Sequence, residues 1–165
     1  MSEDLPLHYD SRAVNNLGIF CGQSEAPALT LIDSRPCGPS SGSSSALRVL
    51  VVDDDHAVRD VLCEILSVYG HKPVPANGGR DAVRQLGDGE FDLVFVDLWM
   101  PDLSGQEVFT WMQQHCPAHA ERAVFITGDH VSEPLHEFVS SSGRPCIHKP
   151  FDMAQIEAVT CVAHV

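Results

Sequence analysis

Four short apolar runs each end on a polar side chain, and this recurrence constrains the sequence more than any other feature. RVLVVDDD stops at Asp53, Asp54 and Asp55, FDLVFVDLWMP turns polar at Asp97, RAVFITGD reaches Thr127, and CIHKPF carries Lys149 just past a brief fourth run. Short β-branched and aromatic runs bounded by turn residues read as strands. Helical patterns lie between them. From about Asp55 to Tyr69, the residues Val58, Val61, Leu62, Ile65 and Leu66 follow an i, i+3, i+4, i+7, i+8 stripe, and Gly70 ends it. An edge-like strand over 71–75 precedes a helix carrying Ala82, Val83 and Leu86. The run at 91–97 is nearly all apolar, as a central parallel strand covered on both faces should be. Val108, Trp111, Met112 and His115 mark one side of a third helix, and Leu135, Phe138 and Val139 mark a fourth. Strands at 122–127 and 145–148 and a last helix from Met153 to about Ala163 complete the pattern.

Such alternation predicts an α/β fold, a doubly wound five-stranded parallel sheet with helices on both faces. Ligands of such sheets bind outside the carboxyl ends of the strands. The acids, the hydroxyl and the ammonium therefore belong to one rim.

Their chemistry is that of a metal and a phosphoryl group. Two carboxylates ~4 Å apart repel by about 4 kcal/mol at an effective dielectric of 20. A Mg²⁺ ion removes that cost while taking only one or two carboxylates. DDD alone also suits a helix cap favoured by the helix dipole. Asp97, at a second strand end, is the candidate nucleophile, since a carboxylate can accept a phosphoryl group as an acyl phosphate. Lys149 would hold the transferring oxygens and Thr127 would hydrogen-bond one of them. Taken singly, Thr127 reads equally as a strand-end turn residue and Lys149 as an exposed charge; four such positions on one rim do not.

Composition narrows the setting. A chain of 165 residues suits one domain plus an appendage, and a net charge of −13 argues against a nucleic-acid surface, which needs clustered Lys and Arg. No apolar stretch approaches the ~20 residues of a membrane span. Cys21, Cys37, Cys63, Cys116, Cys146 and Cys161 form no CxxC pair, and no secretory leader pattern is seen, so they read as reduced thiols of a cytoplasmic protein. His115, Cys116 and His119 lack a second ligand pair and read as a polar helix end broken by Pro117 rather than a zinc site. Residues 1–33 are weakly patterned apart from Ala28 to Ile32, and residues 34–46 are a Ser/Gly/Pro-rich linker, so the ordered domain is expected over 47–165.

From Leu47 onward the chain resembles the receiver domain of bacterial two-component response regulators and hybrid sensor kinases. VLVVDDDHAVRDVL is similar to the first strand, acidic pair and first helix of that family, and ANGGRDAV to the start of the second helix. VFVDLWMPDLSG resembles the phosphoacceptor strand with its MPxxxG loop, FITGD the strand of the switch threonine, and HKPFD the lysine–proline turn. The resemblance implies a flavodoxin-like receiver fold with Asp97 as the phosphorylated aspartate. It implies Mg²⁺ (or Mn²⁺) held by Asp54 directly, by Asp53 mainly through water, by Asp97 and by the backbone carbonyl of Trp99, with Asp55 in a third acidic position. Thr127 would swing toward the phosphoryl group, Lys149 would pair with it, and Lys149–Pro150 would be cis.

Three positions depart from the family pattern. Cys146 stands where an aromatic switch residue is usual, Gly128 replaces the commoner alanine, and Trp99 is bulkier than many residues found there. They bear on readout and phosphate lifetime rather than on phosphoryl acceptance. The implied partner is a sensor histidine kinase or histidine phosphotransfer domain, met through the first helix around Val58 and Leu62 unless those two belong to the core. DNA or membrane contact is not expected, and the chain should be a monomer or weak dimer. The segment from ERAVFITGD through SSGRPCIHKPFD looks especially like receivers fused to hybrid histidine kinases, so the chain reads as a single-domain receiver or the receiver end of such a kinase. Two other readings stay open: an interaction domain of this fold that works without phosphorylation, and a phosphatase of the haloacid dehalogenase kind using Asp53 and Asp55. The latter normally needs further acids after the lysine, where only Asp152 and Glu157 stand, and leaves Asp97 without a task.

Overall fold

The computed structural model describes residues 46–128 and 132–163; the expected N-terminal segment 1–33 and most of the linker 34–46 lie outside them. Five parallel strands, β1 (Arg48–Asp53), β2 (Lys72–Asn77), β3 (Leu93–Asp97), β4 (Ala123–Thr127) and β5 (Cys146–His148), form one sheet in the order β2-β1-β3-β4-β5. The helices are α1 (His56–Val68), α2 (Gly79–Asp88), α3 (Gly105–His115), α4 (Pro117–Ala120), α5 (Glu133–Ser142) and α6 (Met153–Val162). The doubly wound sheet expected from the alternation is present, and β2 is an edge, where Pro73 and Pro75 cost few ladder bonds.

Alternate side chains of the strands feed two cores. Leu50, Val52, Val94, Val96, Phe125 and Cys146 pack under α2, α3, α4 and α5, while Val49, Val51, Phe95, Val124, Ile126 and Ile147 pack under α1 and α6. Helix ends are set by side chains: the Asp55 carboxylate accepts from Ala57 N–H at 2.9 Å, Asp152 caps α6 likewise, and Ser104 with Glu107 forms a reciprocal capping box on α3.

The helical stripes differ from the expected ones by a residue here and there. Val61 is 51% exposed, because it lies a full 100° around α1 from Leu62, which with Leu66 faces the core. Leu62 is therefore core and not a docking residue. On α3 the buried set is Val108, Phe109 and Met112; His115 is exposed and stacks on Trp111 at 4.7 Å. The helix stops there, and Pro117 opens the separate turn α4 instead of merely breaking a helix. His119 in α4 is buried with its Nε2 accepting Phe91 N–H at 3.1 Å, and His115 Nδ1 meets the Trp111 carbonyl at 2.9 Å. Both rings are thus engaged with the backbone.

Phe125 sits edge-on to Phe109 at 5.1 Å and tilted to Phe138 at 5.4 Å, which joins β4 to α3 and α5. Phe125→Ala should lower unfolding stability in urea by about 3–5 kcal/mol, whereas Val61→Ala should change it by less than about 0.5 kcal/mol. Equal effects would contradict this division of core and surface.

Candidate functional site

The strand order reverses between β1 and β3, which is where a crevice opens above a doubly wound sheet. Val52 is in register with Val96, so the next residues, Asp53 and Asp97, end adjacent strands at one level. Ile126 is in register with Asp97, and Thr127 follows it on β4; Thr127 in turn aligns with His148, one residue before Lys149. The register alone thus gathers the four polar strand ends.

At the centre is one ammonium between two carboxylates. Lys149 Nζ lies 2.8 Å from Asp53 Oδ2 and 2.6 Å from Asp97 Oδ2. Asp53 is only 1% exposed and Asp97 4%. The remaining oxygens are held by backbone: Asp53 Oδ1 accepts from Asp55 N–H at 2.9 Å and Asp97 Oδ1 from Trp99 N–H at 3.1 Å. Lys149 itself follows a backbone bond from its N–H to the Thr127 carbonyl (2.8 Å), and its peptide bond to Pro150 is cis.

One ammonium faces two buried carboxylates, so the charges do not balance. Burial pushes the Asp97 carboxyl up, the neighbouring Asp53 charge adds to this, and Lys149 and the Trp99 N–H pull it down by less. Burial also acts to lower Lys149, but its bonds to Asp53 and Asp97 hold the ammonium above its usual value. Two buried carboxylates share one cation, so the pocket retains an excess negative charge. Oxygens of Asp53, Asp54 and Asp97 all lie within 4.8 Å of one another, with Asp54 exposed at the mouth. Hard oxygen donors around an uncompensated charge fit a divalent cation of the Mg²⁺ type.

Other residues find structural duties. Asp55 spends its carboxylate on the α1 cap. Thr127 is 1% exposed and, among the described residues, its hydroxyl makes one long contact, 3.4 Å to the Gly128 carbonyl. Cys146 is buried in the core beneath α5, and burial raises its thiol to about 11. Trp99 is 58% exposed beside the pocket. Gly105 lets the β3–α3 loop close on the strand: a Cβ there would stand 2.4 Å from the Asp97 carbonyl oxygen.

Two contributors were missed in the sequence. Arg59 Nη1 donates to the Asp53 carbonyl at 2.8 Å and to Asn77 Oδ1 at 3.1 Å, tying the β1 end to the β2 end. Its only sequence signal is an arginine one helical turn after the capping acid. Asp102 leaves the pocket altogether and accepts from Gly79 and Arg80 N–H at 3.1 and 3.0 Å.

The charge imbalance makes a testable statement about stability. A carboxyl raised above its ordinary 3.8 in the folded state contributes stability that is fully present below that value and is lost as pH rises through the raised one. Asp97→Asn removes the ionisation while keeping an oxygen for Lys149. It should be more stable to urea than the wild type at pH 7 without divalent cations, and the gap should close as pH falls toward 4. Parallel stability curves at all pH would contradict a raised Asp97 carboxyl.

The transcriptional regulatory protein PhoB of Escherichia coli is 29% identical over 118 residues, 69% of this chain and 52% of PhoB. The sensor kinase/phosphatase CqsS of Vibrio cholerae is 29% identical over 117 residues, 69% of this chain but 17% of CqsS. The chain thus spans about half of one relative's length and a small part of the other's. The structure of the response regulator TrrA from Thermotoga maritima in complex with Mg²⁺-BeF superposes with a TM-score of 0.61 at 26% identity, covering 70% of this chain and 97% of that one. The family model of the response regulator receiver domain matches residues 49–160, from the second residue of β1 into α6. The chain belongs to the response regulator receiver domain family of two-component systems.

Proposed function

We propose that the domain takes a phosphoryl group from a phosphohistidine onto Asp97, in a reaction that requires Mg²⁺ or Mn²⁺, and signals through the change that follows. The observation that carries this reading is the Lys149 ammonium seated between the buried carboxylates of Asp53 and Asp97. A bond forms between a carboxylate oxygen of Asp97 and phosphorus, and the P–N bond breaks. Its electron pair returns to the ring nitrogen, and with the other nitrogen protonated the imidazole leaves neutral. Asp53, Asp54, Asp97 and the Trp99 carbonyl would hold the metal. When bound, the metal supplies positive charge against that of the transferring oxygens.

The rest is done by the chain. Trp99 N–H and Lys149 fix the orientation of Asp97, so its carboxylate does not rotate freely before attack. Lys149 would follow the phosphoryl oxygens once Asp97 carries the acyl phosphate. Thr127, whose hydroxyl makes one weak contact among the described residues, would turn toward a new acceptor. That turn would alter packing at Cys146 and α5, since an acyl phosphate carries about −1.5 to −2 charges where the carboxylate carried one.

The partner would be a sensor histidine kinase or a histidine phosphotransfer domain, in the cytoplasm. That TrrA is found in complex with Mg²⁺-BeF supports the metal requirement. The receiver would occupy 47–165 behind the Ser/Gly/Pro-rich tether. It would act as a monomer or weak dimer, alone or as the end of a hybrid kinase, the latter supported by the similarity to CqsS. No helix among the described residues is long and apolar enough to cross a membrane.

The test is phosphoryl uptake from acetyl phosphate, read as intact-protein mass. The wild type should gain one phosphoryl group only with Mg²⁺ present, Asp97→Asn should gain none, and Lys149→Met should slow uptake by about 10²-fold. Uptake by Asp97→Asn equal to that of the wild type would move the acceptor elsewhere.

A further inference from the structure

The loop from Leu98 to Ser104 carries the Trp99 backbone, and both its ends and its tip are fastened. At its base, Gly105 N–H donates to the Leu98 carbonyl at 3.3 Å, and Leu98 N–H to the Ile126 carbonyl at 2.9 Å. At its tip, the Asp102 carboxylate turns away from the acid pocket and accepts from Gly79 N–H and Arg80 N–H. Gly78 occupies the cap position of α2 and has no side chain to offer, so the first turn of that helix takes its cap from the β3–α3 loop. The fit is tight beside it: a Cβ at Gly79 would stand 2.3 Å from the Leu103 carbonyl oxygen and 2.7 Å from Leu103 Cβ. The helix start and the loop tip are therefore one rigid contact, sealed by two bonds to a single carboxylate.

We infer that Asp102 is a positioning residue for phosphoryl acceptance: by capping α2 it fixes the loop that presents the Trp99 backbone to the Asp53–Asp97 pair. The inference rests on the phosphoacceptor reading. Asp102 touches neither acid. It acts on where the Trp99 N–H and carbonyl stand, and residues that orient a metal ligand from behind commonly matter by about 10–100-fold in metal affinity.

The experiment compares the full chain with its Asp102→Ala, Asp102→Asn and Gln85→Ala variants. Mg²⁺ affinity is read from Trp99 fluorescence in a Trp111→Phe background, and uptake from acetyl phosphate is read by mass. Gln85 bonds α2 to the Pro75 carbonyl at 3.0 Å without touching the loop, so its loss loosens the same helix elsewhere. Asp102→Ala should weaken Mg²⁺ binding by about tenfold or more, with most of the uptake rate recovered at saturating Mg²⁺. Asp102→Asn, whose amide oxygen still accepts one bond, should fall between Ala and wild type, and Gln85→Ala should match wild type.

Wild-type Mg²⁺ affinity in Asp102→Ala, or an equal loss in Gln85→Ala, overturns the inference. Should Asp102→Ala not fold, Asp102→Asn carries the test: a loss of about threefold supports it, as one missing hydrogen bond would give, and an unshifted affinity overturns it. Failure of the wild type itself to take up phosphate would be a different result, removing the phosphoacceptor reading on which the inference rests.

Discussion

Everything about this rim depends on one ammonium having to serve two buried carboxylates. Lys149 reaches Asp53 and Asp97 at 2.8 and 2.6 Å, yet one positive charge cannot neutralise both. A buried pair that is short of a charge is costly, and the cost has a direction: it favours a proton, a divalent cation or a chemical change that redistributes the charge. On the proposed reading, the same imbalance suits the pocket to bind a metal and to exchange an Asp97–Lys149 contact for a phosphoryl–Lys149 contact.

The fold bears that cost through its two cores. Strands β1, β3 and β4 are buried along nearly their whole length, with apolar residues on both faces, which leaves their polar residues only at the ends. Parallel register then sets the acids level with each other, and α1 and α3 begin from capped turns directly beside them. Arg59, Gly105 and Asp102 finish the work by holding backbone rather than ligand. The pocket is thus built by strand ends and stiffened by loop contacts.

What could be read in the sequence follows this division. The five-stranded parallel sheet and the gathering of Asp53, Asp97, Thr127 and Lys149 were legible because each polar residue ends an apolar run, and the receiver resemblance because those ends sit in recognisable motifs. Helix faces were legible only to within a residue, since a valine 100° off the core looks the same in a list of apolar positions; hence Val61 and Phe109. Asp102 could not be found that way, because its bonds go to a helix more than twenty residues earlier and depend on Gly78 lacking a side chain. Asp55, one of three identical letters, was separable from Asp53 and Asp54 only once the helix start was located. Cys146 sits where an aromatic was usual, and its burial shows a thiol packed into the core.

The most direct measurement of the central claim is a Mg²⁺ titration of the ¹⁵N-labelled protein by NMR, without any phosphoryl donor. If the rim is short of one charge, the amides of Asp54, Leu98, Trp99 and Lys149 should shift together and saturate at a single site, and the same titration of Asp97→Asn should need far more Mg²⁺. Small shifts scattered over the acidic surface, without saturation and unchanged in Asp97→Asn, would contradict the account.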